Sequence, residues 1–427
     1  MAQTPDLSRP ATPYSTDILI IGGGVVGVSA AYYLARAGAA VTLVEMGELC
    51  NGSSWGNAGM VCPCHSTPVP GPGVLAQGFR WMFNPESPFY LRPRLDAGFA
   101  AWLWRFSRFC NAGAQARAIP LLRDLQRRSL ALYQELIAAE GLACDFEKAG
   151  GLELFLTEEK FVHAAHEVEK MRGFGLEWEW LGREAVHALE PAAHPDVVGG
   201  IYYRGDAHLN PAKFVEGLAE AAKNYGAQIL TGTEVTDIQR EGHRVHGVAT
   251  PRGWIQPREV VLAAGAWSGV LARKLGIKMP MQAGKGYSIT MQRPAKGPRL
   301  PLHLAEARMA ITPMGGWLRF AGTMELAGID TSINQRRVDA VLRNGKKYLV
   351  DLGEPVVGKI WGGMRPLAPD GMPYLGRSRE VTNLIAATGH GMLGVSLGPV
   401  TGLLVKQIVF GEPVELGVEA LEVGRFG

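Results

Sequence analysis

A glycine-rich turn between two apolar segments constrains the fold of this chain more than any other feature. The apolar run 17–21 leads into the pattern G-x-G-x-x-G at 22–27, and a helical segment rich in Ala and Leu follows over 28–37. A second apolar run covers 40–44 and is followed by Glu45. A buried strand, a glycine turn, a helix and a second buried strand in this order predict a βαβ unit that binds a dinucleotide.

The residues of this unit have distinct physical roles. Gly22 permits the tight turn, Gly24 lets the backbone approach a pyrophosphate, and Gly27 lets the helix pack against the sheet. The free N–H groups and the dipole at the start of the helix favour phosphate. Glu45 stands where a carboxylate accepts hydrogen bonds from ribose hydroxyls and repels a 2′-phosphate. The pattern therefore disfavours NADP, but it does not separate NAD from FAD.

The composition is that of a globular protein with two domains. The chain has 427 residues, 47% hydrophobic and 19% charged, and one hydrophobic core seldom serves a chain of this length. The net charge of +3 gives no reason to expect nucleic acid as a partner. Residues 1–14 are expected to form a disordered tail, and no apolar run is long enough to cross a bilayer. We expect a cytoplasmic protein, with peripheral contact to the inner face of the cell membrane left open.

The five cysteines are irregularly spaced, which favours a reducing compartment without a disulfide framework. The segment Cys62-Pro63-Cys64-His65 offers metal-ligating atoms close together. A zinc site usually needs a second ligand pair and a wider loop, and the sequence shows no such pair. We therefore predict no metal and interpret the segment as chance proximity in a loop.

An aromatic helical face lies between residues 99 and 109. Its apolar side chains recur at helical spacing and are Phe99, Trp102, Leu103, Phe106 and Phe109. This pattern favours packing within a domain core, and the alternative is a surface that docks on a membrane or a quinone.

Small residues also form ordered motifs further along the chain. Glycine turns are expected at 362–376 and 389–394, and the motifs are Ser53-Ser54-x-x-Asn57-Ala58-Gly59, Ala263-Ala264-Gly265-Ala266-Trp267, Gly363-x-Arg365-Pro366-x-x-Pro369-Asp370-Gly371 and Gly389-His390-Gly391-Met392-Leu393-Gly394. Together with the first glycine turn, they resemble the D-amino-acid oxidase superfamily of FAD-dependent amine oxidoreductases over about 17–409. The closest likeness is to the bacterial D-amino-acid dehydrogenases, with glycine oxidase and sarcosine oxidase as more distant relatives.

The resemblance implies an α/β fold in which a Rossmann-like FAD-binding domain is interleaved with an α+β substrate domain built on a mostly antiparallel sheet. The FAD-binding domain would comprise 15–61, 185–275 and 355–415, and the substrate domain 62–184 and 276–354. The residues that it implies for FAD are Gly22, Gly24, Val26, Gly27, Glu45, Met46, Ser53, Ser54, Asn57, Ala58, Gly59, Met60, Val235, Ala264, Gly265, Trp267, Gly363, Gly389, His390, Gly391, Met392, Leu393 and Gly394.

Two departures from the sarcosine oxidases limit what is carried over. Those enzymes attach FAD to a cysteine in the segment that corresponds to 363–365, and this chain has Met364 there. Non-covalent FAD is therefore expected. They also place a lysine where Leu393 stands, so their substrate preference is not implied.

The resemblance also implies three candidate catalytic residues. Arg365 matches the arginine that binds a substrate carboxylate, a task suited to a bidentate guanidinium, and the alternative is a structural salt bridge. Tyr287 either faces the substrate or is a core strand tyrosine. His390 lines the flavin, with proton transfer as the alternative role.

The activity implied is oxidative deamination of D-amino acids to 2-oxo acids and ammonia, by hydride transfer from Cα to flavin N5. The substrate amine drives this transfer, so no strong base is required, and electrons would pass to a quinone or dye-type acceptor. The alternatives are an oxygen-using oxidase of the glycine, D-proline or hydroxyproline type, an NAD-linked dehydrogenase, and a catalytically silent flavin-binding redox protein. Side-chain preference and oligomeric state stay open.

Overall fold

The computed structural model describes residues 14–82, 87–92, 94–350, 352–353, 356–414 and 416–426. The predicted tail lies outside these residues except for Tyr14, which begins the first strand. The helices are α1 (Val25–Arg36), α2 (Val74–Met82), α3 (Ala97–Phe109), α4 (Ala112–Glu140), α5 (Glu158–Arg172), α6 (Arg183–Leu189), α7 (Pro211–Asn224), α8 (Ser268–Lys274), α9 (Gln335–Gly345) and α10 (Gly394–Phe410).

The strands divide among two large sheets and one small pair. They are β1 (Tyr14–Ile21), β2 (Val41–Val44), β3 (Met60–Val61), β4 (Phe89–Leu91), β5 (Gly151–Phe155), β6 (Glu179–Gly182), β7 (Gly199–Tyr203), β8 (Ala207–His208), β9 (Gln228–Leu230), β10 (Asp237–Glu241), β11 (Arg244–Thr250), β12 (Gly253–Leu262), β13 (Gln282–Gln292), β14 (Leu302–Leu304), β15 (Met309–Met314), β16 (Trp317–Leu326), β17 (Val357–Leu367), β18 (Tyr374–Arg377) and β19 (Leu384–Thr388).

The first sheet contains the predicted βαβ unit. Strands β19, β12, β1, β2 and β9 lie side by side and parallel, with β10, β11 and β18 added antiparallel. Leu19 and Ile20 of β1 are fully buried because neighbouring elements cover both faces of the sheet. The βαβ unit is confirmed, and α1 begins at Val25, three residues before the predicted start.

The second sheet has the described order β17-β13-β16-β15-β14-β5-β7-β6, and β4 adds to β16. Its pairings are antiparallel except for β14 with β5 and β16 with β4. A Rossmann-like sheet and a mostly antiparallel sheet confirm the predicted fold class.

The predicted glycine turn at 362–376 is wrong in its first half. Gly362 and Gly363 lie inside β17, which pairs with β13 over residues 357–367. Glycine is used here because a Cβ at Gly363 would lie 1.6 Å from the Trp361 ring. The remaining turn lies between β17 and β18, where Gly371 has a φ of +73°.

Three elements lie in a different part of the fold from the one that the predicted domain ranges imply. Strands β7 and β17 fall in ranges assigned to the FAD-binding domain, yet both pair in the second sheet. Helix α4 falls in the range assigned to the substrate domain, yet its buried Leu122, Leu125 and Leu136 belong to the core of the first sheet. The rest of the division stays a prediction.

The aromatic face of α3 packs inward, as predicted. Phe99 and Trp102 are buried against Leu326 and Leu367, and Trp102 Nε1 donates to Leu367 O at 3.1 Å. Trp104, on the other side of α3, is 58% exposed. Within the described ranges, we find no helix with both the length and the apolar character needed to span a membrane.

Candidate functional site

A cavity of about 1850 Å³ lies between the two large sheets. This volume exceeds that of a pocket for one drug-sized ligand, roughly 300–1000 Å³. Every residue predicted to bind the cofactor lines it except Gly27, Gly59 and Gly363, and Arg365 lines it too. The cavity therefore brings together segments that are more than 300 residues apart in sequence.

The three predicted glycines that do not line the cavity are packing positions. A Cβ at Gly27 would lie 1.9 Å from Gly22 O, and one at Gly59 would lie 2.1 Å from Leu209 O. Gly363 lies under Trp361. These glycines shape the wall by allowing close backbone approach.

The first glycine turn has the geometry of a phosphate cradle. Gly22 has a φ of +117°, and a Cβ there would lie 2.4 Å from Ala263 O. Ser54 Oγ accepts a hydrogen bond from Val25 N at 3.0 Å, so the serine motif lies at the start of α1. Glu45 lines the cavity and accepts from Gly23 N at 2.7 Å and from Gly47 N at 3.0 Å. These contacts orient the carboxylate beside the turn.

The loop 389–394 forms the opposite wall. Gly389 and Gly391 have φ angles of +78° and +57°, and α10 begins at Gly394. Asn57 Nδ2 donates to Met392 O at 3.2 Å, which ties this loop to the serine motif. The N-terminus of α10 therefore faces the cavity and favours negative charge there.

His390 lies in this loop as a neutral, hydrogen-bonded side chain. It is 4% exposed, and its Nε2 is 2.9 Å from Thr401 Oγ1. Burial lowers the pKa of the His390 imidazole from 6.5 to about 4. A neutral imidazole with a hydroxyl partner favours the cavity-lining role over proton transfer.

Arg365 presents a half-buried cation to the cavity. Its Nη1 donates to Thr323 O at 2.7 Å, and its guanidinium lies over Gly286, where a Cβ would be 2.1 Å from Nη1. Among the described residues no carboxylate lies within 4.0 Å of it, which disfavours the structural salt bridge. Burial lowers the pKa of the guanidinium from 12.5 to about 10, so it remains charged at neutral pH. A half-buried cation that has one neutral protein acceptor and faces a cavity calls for an anionic ligand.

Tyr287 is a core residue, which is the second of its two predicted alternatives. It is 1% exposed, does not line the cavity, and donates to Glu325 Oε2 at 3.2 Å. Desolvation raises the pKa of its phenol. Strand alternation explains this orientation, because Gly286 occupies the place beneath the Arg365 guanidinium while the next residue points to the core of the second sheet.

Thr323 is a site residue that the sequence did not reveal. It has a φ of +62°, unusual for a β-branched residue, and the β13–β16 register shifts opposite it. This bulge directs its carbonyl at Arg365 and leaves its buried Oγ1 without a protein partner in the described part of the chain. Thr323 also lines the cavity. Strain of this kind is characteristic of ligand sites, and no local sequence pattern signals it.

Arg319 is a second residue that the sequence did not reveal. It is 2% exposed, donates to Asn57 O at 2.9 Å and to Thr290 Oγ1 at 3.0 Å, and lies 4.6 Å from the Trp55 ring centre. Burial lowers the pKa of its guanidinium to about 10. It therefore fastens the serine motif to the second sheet.

The structure also adds ligands to the cysteine segment. Asp206 and His303, remote in sequence, lie with Cys62, Cys64 and His65 in two groups of potential metal-ligating atoms. The second ligand pair that the sequence lacked is thus supplied by the fold.

We predict that the free energy of unfolding of His390→Gln falls less than that of wild type as the pH is lowered from 6.5 to 4. The folded-state pKa lies below the unfolded value, so the contribution of neutral His390 is complete above pH 6.5 and is lost as the pH falls towards 4. The shift corresponds to about 3 kcal/mol. Unfolding by denaturant at several pH values should show a smaller loss of unfolding free energy in the variant, because Gln keeps a hydrogen-bond partner for Thr401.

The exposed His246 provides the matched control, since its side chain is 52% exposed. His246→Gln should leave the wild-type profile unchanged. An equal loss of stability between pH 6.5 and 4 in wild type and His390→Gln would show that His390 is not the titrating group.

The residues fit a dinucleotide of the FAD type. The space between the Gly22 turn and the loop 389–394 is open, and a Cβ at Gly22 or Gly389 would clash with the protein that forms its wall. A carboxylate at Glu45 and the N-termini of α1 and α10 offer partners for ribose, pyrophosphate and a reduced flavin respectively.

Comparisons with known proteins give the family. Relatives named D-amino acid dehydrogenase from Granulibacter bethesdensis and Cereibacter sphaeroides are 32% and 33% identical to this chain over 415 and 416 residues. These alignments cover 96% of this chain and 99% and 95% of the two relatives.

Solved structures agree on the fold. Glycine oxidase from Geobacillus kaustophilus has a TM-score of 0.77 at 24% identity, covering 96% of this chain and 99% of that one. L-proline dehydrogenase from P. horikoshii has a TM-score of 0.74 at 22% identity, covering 97% and 98%. The family model described as "DAO: FAD dependent oxidoreductase" matches residues 17–408. The chain therefore belongs to the DAO family of FAD-dependent oxidoreductases, and FAD is its cofactor.

Proposed function

We propose that this protein is a D-amino-acid dehydrogenase that converts D-amino acids to 2-oxo acids and ammonia. The observation that carries the proposal is the half-buried Arg365 guanidinium, which faces the cofactor cavity and has no carboxylate partner among the described residues. The names of the relatives at 32–33% identity support the same activity.

Arg365 binds the substrate carboxylate and so orients the amino acid. One of its N–H groups is held by Thr323 O, which fixes the guanidinium plane and leaves other donors for the ligand. The ion pair with Arg365 holds the substrate carboxylate in one position before the reaction begins.

Bound FAD supplies the oxidant that accepts the hydride from the substrate Cα. The nitrogen lone pair of the neutral amine drives the departure, so the protein need not supply a strong base. His390 stays neutral, held by Thr401, and lines the site. Water then hydrolyses the imino acid that is released to a 2-oxo acid and ammonia. FAD is held non-covalently, since Met364 stands where sarcosine oxidases have a cysteine.

The electrons pass to a quinone or dye-type acceptor at the cytoplasmic face of the membrane. Support for peripheral contact comes from large exposed apolar side chains on α2 and α3. Leu75, Phe79 and Trp104 are 47%, 63% and 58% exposed, and Arg80 and Arg108 lie on the same helices. Apolar side chains flanked by arginines suit an anionic membrane surface.

Anaerobic mixing with amino-acid enantiomers tests the activity directly. We expect D-amino acids to bleach the flavin absorption band and the L-enantiomers to leave it unchanged. In air, turnover should require a quinone or dye and release little peroxide. Failure of all D-amino and secondary amino acids to bleach the flavin would contradict the activity, and stoichiometric peroxide would identify an oxidase instead.

Arg365→Ala tests the carboxylate site. We expect kcat/KM to fall ~30-fold or more, mainly through KM, because a buried charge-assisted pair loses one partner. Arg365→Lys should give an intermediate value, since it keeps the charge and loses the bidentate geometry. The flavin spectrum should be unchanged in both variants. A KM equal to wild type in Arg365→Ala would place the carboxylate elsewhere.

Gly286→Ala tests whether the position of the guanidinium matters. The new Cβ would meet Arg365 Nη1 at 2.1 Å and displace it, so we expect KM to rise about 10- to 100-fold. Gly316→Ala is the matched control, because its Cβ would meet nothing within 4 Å. Equal kinetics for the two variants would show that Arg365 is free to move without cost.

A further inference from the structure

A compact group of sulfur, nitrogen and oxygen ligands lies in the wall of the cavity. We call it the thiol–imidazole cluster, and its members are Cys62, Cys64, His65, Asp206 and His303. The first three follow β3, Asp206 lies between β7 and β8, and His303 lies in β14. Three separate segments of the chain therefore meet at this point.

The closest contacts join three side chains. Cys64 Sγ lies 2.6 Å from Asp206 Oδ2 and 3.1 Å from His65 Nδ1, and His65 Nδ1 lies 4.0 Å from Asp206 Oδ2. The ligands of one tetrahedral zinc ion, with bonds of about 2.0–2.3 Å, stand roughly 3.3–3.8 Å apart, so the contacts of Cys64 Sγ would lengthen and the His65–Asp206 distance would shorten slightly. These three atoms can therefore share one ion after small side-chain rotations.

Two more members lie on the other side of the same imidazole. Ligand atoms of Cys62, His65 and His303 lie within 4.8 Å of one another. The His65 and His303 rings are stacked at 4.0 Å, and His303 Nε2 is buried without a partner in the described ranges. Cys62 is 5% exposed. These atoms form a second group, which shares only His65 with the first.

The electrostatics of the cluster call for a cation. Asp206 is 0% exposed, and within the described chain no lysine or arginine lies within 4.0 Å of its carboxylate, only His65. A buried carboxylate is normally paired with a cation or coordinates a metal. Its described donors are the weak Cys64 thiol and the Cys64 backbone N–H at 3.4 Å, so neutral groups alone compensate the carboxylate.

We propose that Cys64, His65 and Asp206 bind one zinc ion. Thiolate and imidazole ligands select zinc over magnesium or calcium, which prefer oxygen. His303 stacks on His65 and fixes the ring that faces the ion. The zinc ion links the segment after β3 to the second sheet and so stabilises the cavity wall next to Met60. This site does not depend on the proposed deamination.

Metal analysis of the purified holoprotein tests the site. After expression in zinc-supplemented medium, we expect about one zinc per polypeptide, the stoichiometry of a single structural site. Cobalt exchanged into chelator-treated wild type should give absorption bands at wavelengths beyond those of the flavin, with the intensity of a tetrahedral thiolate site. Wild-type protein with neither zinc nor these cobalt bands would overturn the proposal, as would iron or copper in place of zinc.

Ligand variants locate the ion. Asp206→Asn and Cys64→Ser should bind zinc at least ~100-fold more weakly, since even a partner outside the ligand shell changes affinity by that order. Cys110→Ser is the matched control, because Cys110 lies outside the cluster and contacts Phe106 O. Zinc retained in both ligand variants would overturn the assignment.

The flavin spectrum reports whether each variant has folded. Should neither ligand variant bind flavin, the cobalt titration of wild type still decides the question. Full zinc content in a protein whose flavin no amino acid bleaches would support the metal site and contradict the deamination. Bleaching of the flavin by D-amino acids in a zinc-free wild type would support the deamination and contradict the metal site.

Discussion

A half-buried guanidinium beside a cavity, with no carboxylate near it among the described residues, is the constraint on which the second sheet depends. Taking a cation out of water costs several kcal/mol unless dipoles or an anion compensate it. The Arg365 guanidinium donates one hydrogen bond, to the backbone carbonyl of Thr323. A ligand is left to compensate the rest of its charge. The bulge in β16 and the missing side chain at Gly286 both follow from this arrangement, since one aims the carbonyl and the other makes room.

Hydrogen bonds from a few side chains join the two sheets. Arg319 reaches from β16 to the carbonyl of Asn57, Ser53 donates to Met364 O, and Asn57 in turn donates to Met392 O. These bonds run through the serine motif, which lies at the start of α1. A change of position in the second sheet is therefore transmitted to the cofactor cradle through hydrogen bonds rather than through a hinge.

Several buried ionisable groups have structural explanations. Lys285, which is 1% exposed, pairs with Asp330 at 2.8 Å, and this contact holds the pKa of the Asp330 carboxyl far below its usual range. Glu325 accepts from Tyr287 and lies 3.7 Å from Arg337. These charges are paired, whereas those of Arg365 and Asp206 are not paired by a described protein charge of full opposite sign. That contrast is why Arg365 and Asp206 point to ligands.

The sequence by itself determined the βαβ unit and the family resemblance, and nearly all the residues that it implied for the cofactor line the cavity. It could do so because a tight turn, a close backbone approach and a buried strand each require particular residues at adjacent positions, and such requirements are local. The sheet class followed from the resemblance. The aromatic face of α3 was also predictable, because the period of a helix is written in consecutive residues.

Only the tertiary structure decided which side chains meet. Tyr287 turns to the core, and Gly363 lies in a strand rather than a turn, because pairing with neighbouring strands sets both directions. The strained Thr323 arises from a register shift between β13 and β16, which no single segment encodes. Asp206 and His303 join the cysteine segment across more than 140 and 230 residues respectively. Contacts over such separations depend on how whole sheets are ordered, and a local pattern carries no information about that order.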